Sequence, residues 1–161
     1  MSRRTNIMSH KLKEEIAKEL GLYDTVKRDG GWQNVSSRDC GNIVTKAIEI
    51  ANKYEELYAI VGISPNDIED IKTEEDMSKC INEIEKIASD KKAVAIGEIG
   101  LDYYWNKDNK EVQKEMFIKQ IKLANNLELP IVIHTREAIS DTLEILKENE
   151  VNKKVYFIVV H

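Results

Sequence analysis

Cysteine and proline are nearly missing from this chain of 161 residues, at two each, and aromatic residues make up only 6%. Cys40 and Cys80 stand far apart with no CxxC spacing, which excludes a disulfide scaffold and a zinc ribbon. They read as reduced thiols of a cytoplasmic protein. With two prolines and seven glycines, low-complexity and collagen-like chains are excluded as well. No apolar run approaches the ~20 residues that a membrane helix needs, so no membrane is expected as a partner. The opening MSRRTNIMSHKLKEE is basic but has no apolar core, so it is not a secretory signal. What remains is 33% charged and 42% hydrophobic, the balance of a soluble globular protein.

The net charge of −5 is unevenly spread. Residues 1–53 hold ten Lys/Arg against seven Asp/Glu, whereas residues 54–161 hold fourteen against twenty-two. A basic piece ahead of an acidic body suggests two modules, the first of which either faces nucleic acid or presents an ordinary solvated face.

Hydrophobic periodicity divides the chain at the same place. Met8, Leu12, Ile16 and Leu20 fall every fourth position, one stripe of an amphipathic helix, and Gly21 ends it. The polar stretch around Gly30 and Gly31 reads as a loop. Ser36 or Ser37 can cap a second helix, with Asp39 in its first turn and apolar positions continuing to Tyr54. Residues 1–53 are thus expected to be a helix–loop–helix segment without strands. Beyond it, LYAIVGI (57–63), AVAIGEIG (93–100), PIVIH (130–134) and KVYFIVVH (154–161) are unbroken apolar runs. They alternate with helical patterns over 73–89, 110–127 and 138–147. Continuous apolar strands alternating with helices predict a parallel sheet of βαβ units.

Ionisable residues cluster at the strand ends. Glu98 lies near the end of the second strand, His134 ends the third and His161 the fourth. In a parallel α/β sheet the C-terminal strand ends form the active face, so the three side chains would converge there. One Glu and two His suit zinc, manganese or magnesium. The alternative is that Glu98 pairs with a cation such as Arg136 and that each histidine is a satisfied core residue.

AVAIGEIGLDYYW (93–105) resembles the signature of the TatD family of deoxyribonucleases. EVQKEMFIKQIKLANNLELPIVIHTREAISDTLEILKE (111–148) and KVYFIVVH (154–161) resemble the stretches that follow it. The resemblance implies an α/β fold, here a partial (β/α) TIM-barrel-like sheet of about four βα units over 54–161. It also implies hydrolysis of DNA phosphodiesters at a site of two divalent metal ions (Mg, Mn or Zn). By it, Glu98 is the carboxylate shared by the metals and a catalytic residue, His134 and His161 are further ligands, and Arg136 holds a substrate phosphate. The family's initial H-x-H-x-D strand is not found, Ser64 and Asn66 stand where histidines would in "GIHPH", and the late strand bearing a metal-binding Asp is not found either. The expectation is therefore half of a site, impaired catalysis, and a sheet with two open edges through which copies could associate.

The first part has a resemblance of its own. LKEEIAKELG (12–21), the GGW of the loop (30–32) and SSRDCGNIVTKAIEIA (36–51) resemble the α/β-type small acid-soluble spore proteins. That family coats double-stranded DNA from the minor-groove side. The resemblance implies a DNA-binding segment over 1–53, located in the spore core, whose contacts are Arg38, Gly41, Asn42, Thr45 and Lys46. Read from the residues, Gly41 permits either close approach to a groove or tight helix packing, and its neighbours can reach phosphates without reading sequence. EEIAKE (14–19) is similar to the germination-protease site of those proteins, or is simply a helix with i,i+4 ion pairs. KAIEIANKYEELYAIVG (46–62) fits both families, as expected for a chimaeric or truncated reading frame. A spore-type DNA-protecting protein with a non-catalytic C-terminal passenger is the alternative function.

Overall fold

Each of the four apolar runs is a strand in the structure, a computed structural model that describes residues 18, 23, 24, 40–69, 71–105 and 107–159. Apart from Lys18, which is helical, the helix expected over 8–20 lies outside those residues, as do the Gly-Gly loop, Arg38, His161 and the side chains of Asn42 and Lys46. The chain divides into two units, Met1–Arg38 and Asp39–His161. The second unit alternates helix and strand throughout: α1 (Cys40–Lys53), β1 (Ala59–Val61), α2 (Glu74–Ala88), β2 (Ala93–Asp102), α3 (Lys110–Asn126), β3 (Ile131–Arg136), α4 (Ile139–Glu148) and β4 (Val155–Val159). All strands are parallel and ordered β1-β2-β3-β4, as in consecutive strands of a (β/α) barrel.

Local chemistry explains the element boundaries. Thr73 and Asp76 form a reciprocal capping box that starts α2. Ile48 and Ala51 of α1 join the core with Val61, Ile96, Phe117, Ile121 and Ile133. The composition of the chain changes at residue 53, but α1 packs against β1 and α2 and so belongs structurally to the α/β unit.

Two strands run further than their apolar runs suggested. β2 continues past Gly100 to Asp102, and β3 continues past His134 to Arg136, because the pairs Leu101↔Thr135 and Asp102↔Arg136 extend the ladder. Glu98 is therefore inside β2 rather than at its end. It lies where the β2–β3 register shifts between Ile96 and Ile99, a bulge of the kind that re-aims a side chain next to a site. Gly100, opposite His134, has φ +133°, and a Cβ there would collide with the carbonyl oxygen of His134, so glycine is required at this point.

Two buried glutamines, seven residues apart on α3, fix the chain at the upper ends of β1 and β2. Gln120 accepts from the Ile63 N–H at 2.7 Å and donates to the Ile63 carbonyl at 3.0 Å. Gln113 accepts from the Asp102 N–H at 2.8 Å and donates to its carbonyl at 3.0 Å. Each side chain thus satisfies a donor and an acceptor that no strand partner serves. Gln120→Leu keeps the volume and strands both Ile63 groups, at an expected cost of about 2–4 kcal/mol. Urea unfolding should show a lower midpoint at unchanged slope, and an unaltered midpoint would refute the clamp.

Candidate metal centre

The centre is built around one buried carboxylate. Asp102, at the end of β2, is 0% exposed and spends all its acceptor capacity. Its Oδ2 lies 2.9 Å from His134 Nε2 and accepts from Asn66 Nδ2 at 3.3 Å. Its Oδ1 accepts from the backbone N–H groups of Tyr104 and Trp105 at 3.0 and 3.1 Å. Burial pushes the Asp102 carboxyl up, but the N–H groups of Trp105 and Tyr104, with His134 and Asn66, outweigh it and hold the pKa below the usual carboxylate range.

His134 sits between two carboxylates. With Nε2 facing Asp102, its Nδ1 lies 3.6 Å from Glu98 Oε2. The Glu98 side chain is 44% exposed and that of His134 only 10%, so the pair opens to solvent on the Glu98 side. Glu98 foremost, together with Asp102, raises the His134 pKa against the opposing effect of burial.

This arrangement fits a divalent cation. When Nε2–H donates to Asp102, the Nδ1 lone pair faces Glu98, the carboxylate–histidine arrangement that prepares a histidine for a metal. Two donors at ~2.0–2.1 Å from one tetrahedral ion stand roughly 3.3–3.4 Å apart, close to the Glu98–His134 separation. Asn66 Oδ1 is buried without a partner beside the same carboxylate, an acceptor left for a proton donor or a cation. Among the described residues, no three His, Cys, Asp or Glu side chains converge on one point. The third ligand expected from sequence, His161, lies outside them.

Arg136 does not pair with Glu98. Its guanidinium lies over the Tyr104 ring at 3.9 Å and over Trp105 at 5.4 Å, and those rings meet edge to face at 4.7 Å. The aromatic turn is pinned by Asp102 Oδ1 and by the bond from Tyr103 N–H to the Arg136 carbonyl at 2.9 Å. The planar face of the guanidinium is held, and its N–H edge is left for an anion.

Of the residues expected at a site from sequence, the structure brings Glu98, His134 and Arg136 to one end of the sheet. Asp102 and the glutamines are not singled out by sequence, and Asn66 is marked there only as standing where a histidine would. Asp102 stands in the GEIGLD run, but an aspartate at the end of an apolar strand reads as the start of a polar loop. Of the DNA-facing candidates in α1, Thr45 is exposed, and Gly41, Asn42 and Lys46 lie in the helical backbone of its first half.

Comparison with known proteins bears on the family and the fold. A metal-dependent hydrolase of Bacillus subtilis, YabD, is 46% identical over 105 residues, covering 65% of this chain and 39% of its own. One from Buchnera aphidicola is 34% identical over 106 residues, covering 65% of this chain and 40% of its own. The chain thus spans about two fifths of the length of these curated relatives. Protein SspF of Priestia megaterium is 57% identical over 53 residues, which is 33% of this chain and 93% of SspF. The sequence therefore also carries a nearly complete SspF-like stretch, in line with the spore-protein resemblance of its first part. Among solved structures, the TatD homologue YJJV of Escherichia coli superposes with a TM-score of 0.62 at 20% identity over 83% of this chain and 53% of that one, a likeness of fold. A TatD family hydrolase from Entamoeba histolytica superposes at 0.56 with 34% identity over 69% of this chain and 38% of that one. The family described as TatD related DNase matches residues 6–161, and the chain belongs to it.

Proposed function

We propose that the α/β unit acts as a TatD-type metal-dependent hydrolase on the phosphodiester bonds of DNA. The observation that carries this reading is the Glu98–His134 pair, opened to solvent and oriented from behind by Asp102. Glu98 and His134, joined by His161, would hold a divalent cation of the Mg, Mn or Zn group, with two ions in the complete family site. Such an ion supplies charge neutralisation at the phosphate and acidifies water. The chain's own residues do the rest. Asp102 keeps the proton on Nε2 of His134, and Arg136, flattened against Tyr104, donates to a phosphate oxygen. A site resting on so few donors binds metal weakly, so turnover by the isolated chain is expected to be slow.

A second reading has an observation of its own, the match to nearly the whole of SspF. On it, the segment 1–53 binds double-stranded DNA without metal, through Arg38, Gly41, Asn42, Thr45 and Lys46, and shields it. Such binding is electrostatic and weakens steeply with salt.

The two readings separate in one set of assays. Cleavage of duplex or single-stranded DNA should require added Mn²⁺ or Mg²⁺ and fall to background in Glu98→Gln, and cleavage that survives the substitution or a chelator would sink the hydrolase reading. Asp102→Asn retains the oxygen that receives the backbone N–H groups but turns an amide donor towards His134 Nε2. The histidine then presents N–H rather than a lone pair to Glu98, and metal affinity by titration calorimetry is expected to fall about 10–100-fold with the fold intact. Duplex binding, in contrast, should persist in chelator and weaken in Lys46→Ala with a shallower salt slope, and equal binding by that variant would count against the second reading.

A further inference from the structure

We propose that Tyr103 and Asp141 are positioning residues: the bond between them fixes the turn that carries Arg136, and so sets the guanidinium for the substrate phosphate. The inference rests on the reading of Arg136 as the group that holds the phosphate. Tyr103 is 8% exposed, and neither the metal pair nor the phosphate contact uses its hydroxyl. That hydroxyl donates to Asp141 Oδ2 at 2.7 Å, and Lys114 Nζ reaches the same oxygen at 2.9 Å. Lys110 Nζ lies 4.3 Å from the centre of the Tyr103 ring. One side chain on the turn after β2 is thereby joined to the beginnings of both α3 and α4.

Arg136 lies at one end of the stretch that Tyr103 holds. Its carbonyl accepts from the Tyr103 N–H at 2.9 Å, and Asp141 follows it by five residues. The chain between them turns sharply. Glu137 has φ +52°, a left-handed conformation that a residue with a Cβ rarely adopts. Such a conformation persists only where its surroundings hold it. The hydroxyls of Thr135 and Thr142 meet across the turn at 3.1 Å, and Thr142 donates to the Ala138 carbonyl at 2.9 Å. Those bonds close the turn on itself. The two bonds of Tyr103 tie it, at both ends, to the turn after β2.

That tie bears on the guanidinium directly. Arg136 takes its direction from the Tyr104 ring, 3.9 Å away, and Tyr104 is the residue after Tyr103. The cation and the ring beneath it thus belong to two different turns, and a slip between the turns would slide one off the other. A buried tyrosine hydroxyl would be satisfied by any backbone carbonyl. Here its acceptor is a carboxylate, which makes the stronger, charge-assisted bond. Lys114 foremost, and then the Tyr103 hydroxyl, hold the Asp141 carboxyl below the usual carboxylate range, so it remains an acceptor at neutral pH.

Nuclear magnetic resonance of the full chain reads the position of Arg136 without any activity. The sequence has five arginines, and the Arg136 Nε–H signal is expected to be moved upfield by the Tyr104 ring and to vanish in Arg136→Lys. In Tyr103→Phe and in Asp141→Ala that signal should join those of the other arginines. In the cleavage assay the same variants should raise KM for DNA about tenfold with kcat within about twofold, the pattern of a lost binding contact. Asp141→Asn keeps an oxygen for the Tyr103 hydroxyl and should restore both the signal and KM. Metal titration and circular dichroism check that the Glu98–His134 pair and the fold survive, and Asp141→Ala serves where Tyr103→Phe folds poorly. An Arg136 signal unmoved in both variants, or a fall in kcat at unchanged KM, would overturn the proposal. Absence of cleavage by the native chain would fail the hydrolase reading alone, and the Arg136 signal still decides the positioning.

Discussion

A single buried carboxylate, Asp102, joins three parts of the molecule that the chain supplies separately. One oxygen holds the imidazole of His134 on β3, and the other gathers the N–H groups of the turn after β2. Without it the ring of His134 could rotate, and the Tyr104–Trp105 face on which Arg136 rests would lose its anchor. An ionised group with no exposure is costly to bury unless its hydrogen bonds are complete. Here they are complete, and every one of them leads to a residue of the site. The depressed pKa of Asp102 reflects that same set of bonds.

The position of Asp102 depends in turn on α3. Gln113 takes both backbone groups of Asp102, so the carboxylate projects from a clamped residue rather than from a loose strand end. Gln120 does the same for Ile63, just ahead of the turn that presents Asn66 to Asp102. The helix thus sets the height of two neighbouring strand ends by one rigid spacing, two helical turns. Gly100 completes the frame, since only a residue without Cβ lets β2 approach His134 closely.

Much of this architecture is legible in the residues. Buried parallel strands are continuous apolar runs, and 93–100 and 130–134 show it without ambiguity. Glu98 and His134 stand out because an ionisable side chain inside such a run needs a reason to be there. What stays hidden are polar residues whose partners are backbone groups. Gln113 and Gln120 sit in a helix rich in charge, where a glutamine reads as solvent-facing. Their seven-residue spacing, on the same face as Phe117 and Ala124, was the available signal. The bulge at Glu98 is also illegible, since it arises from pairing with β3 and not from the local sequence.

Helix α1 divides along its length. Its second half places Ile48 and Ala51 in the core of the α/β unit, whereas its first half holds Gly41, Asn42, Thr45 and Lys46. A helix with one buried side needs its apolar residues confined to one stripe, and Ala47, Ile48, Ile50 and Ala51 obey this while Thr45 and Glu49 are exposed. The composition of the chain therefore changes at residue 53, although the packing boundary lies before residue 40. The segment that resembles one family supplies a helix to the core of the other, which is why a cut at the compositional boundary would leave β1 without the helix that covers it.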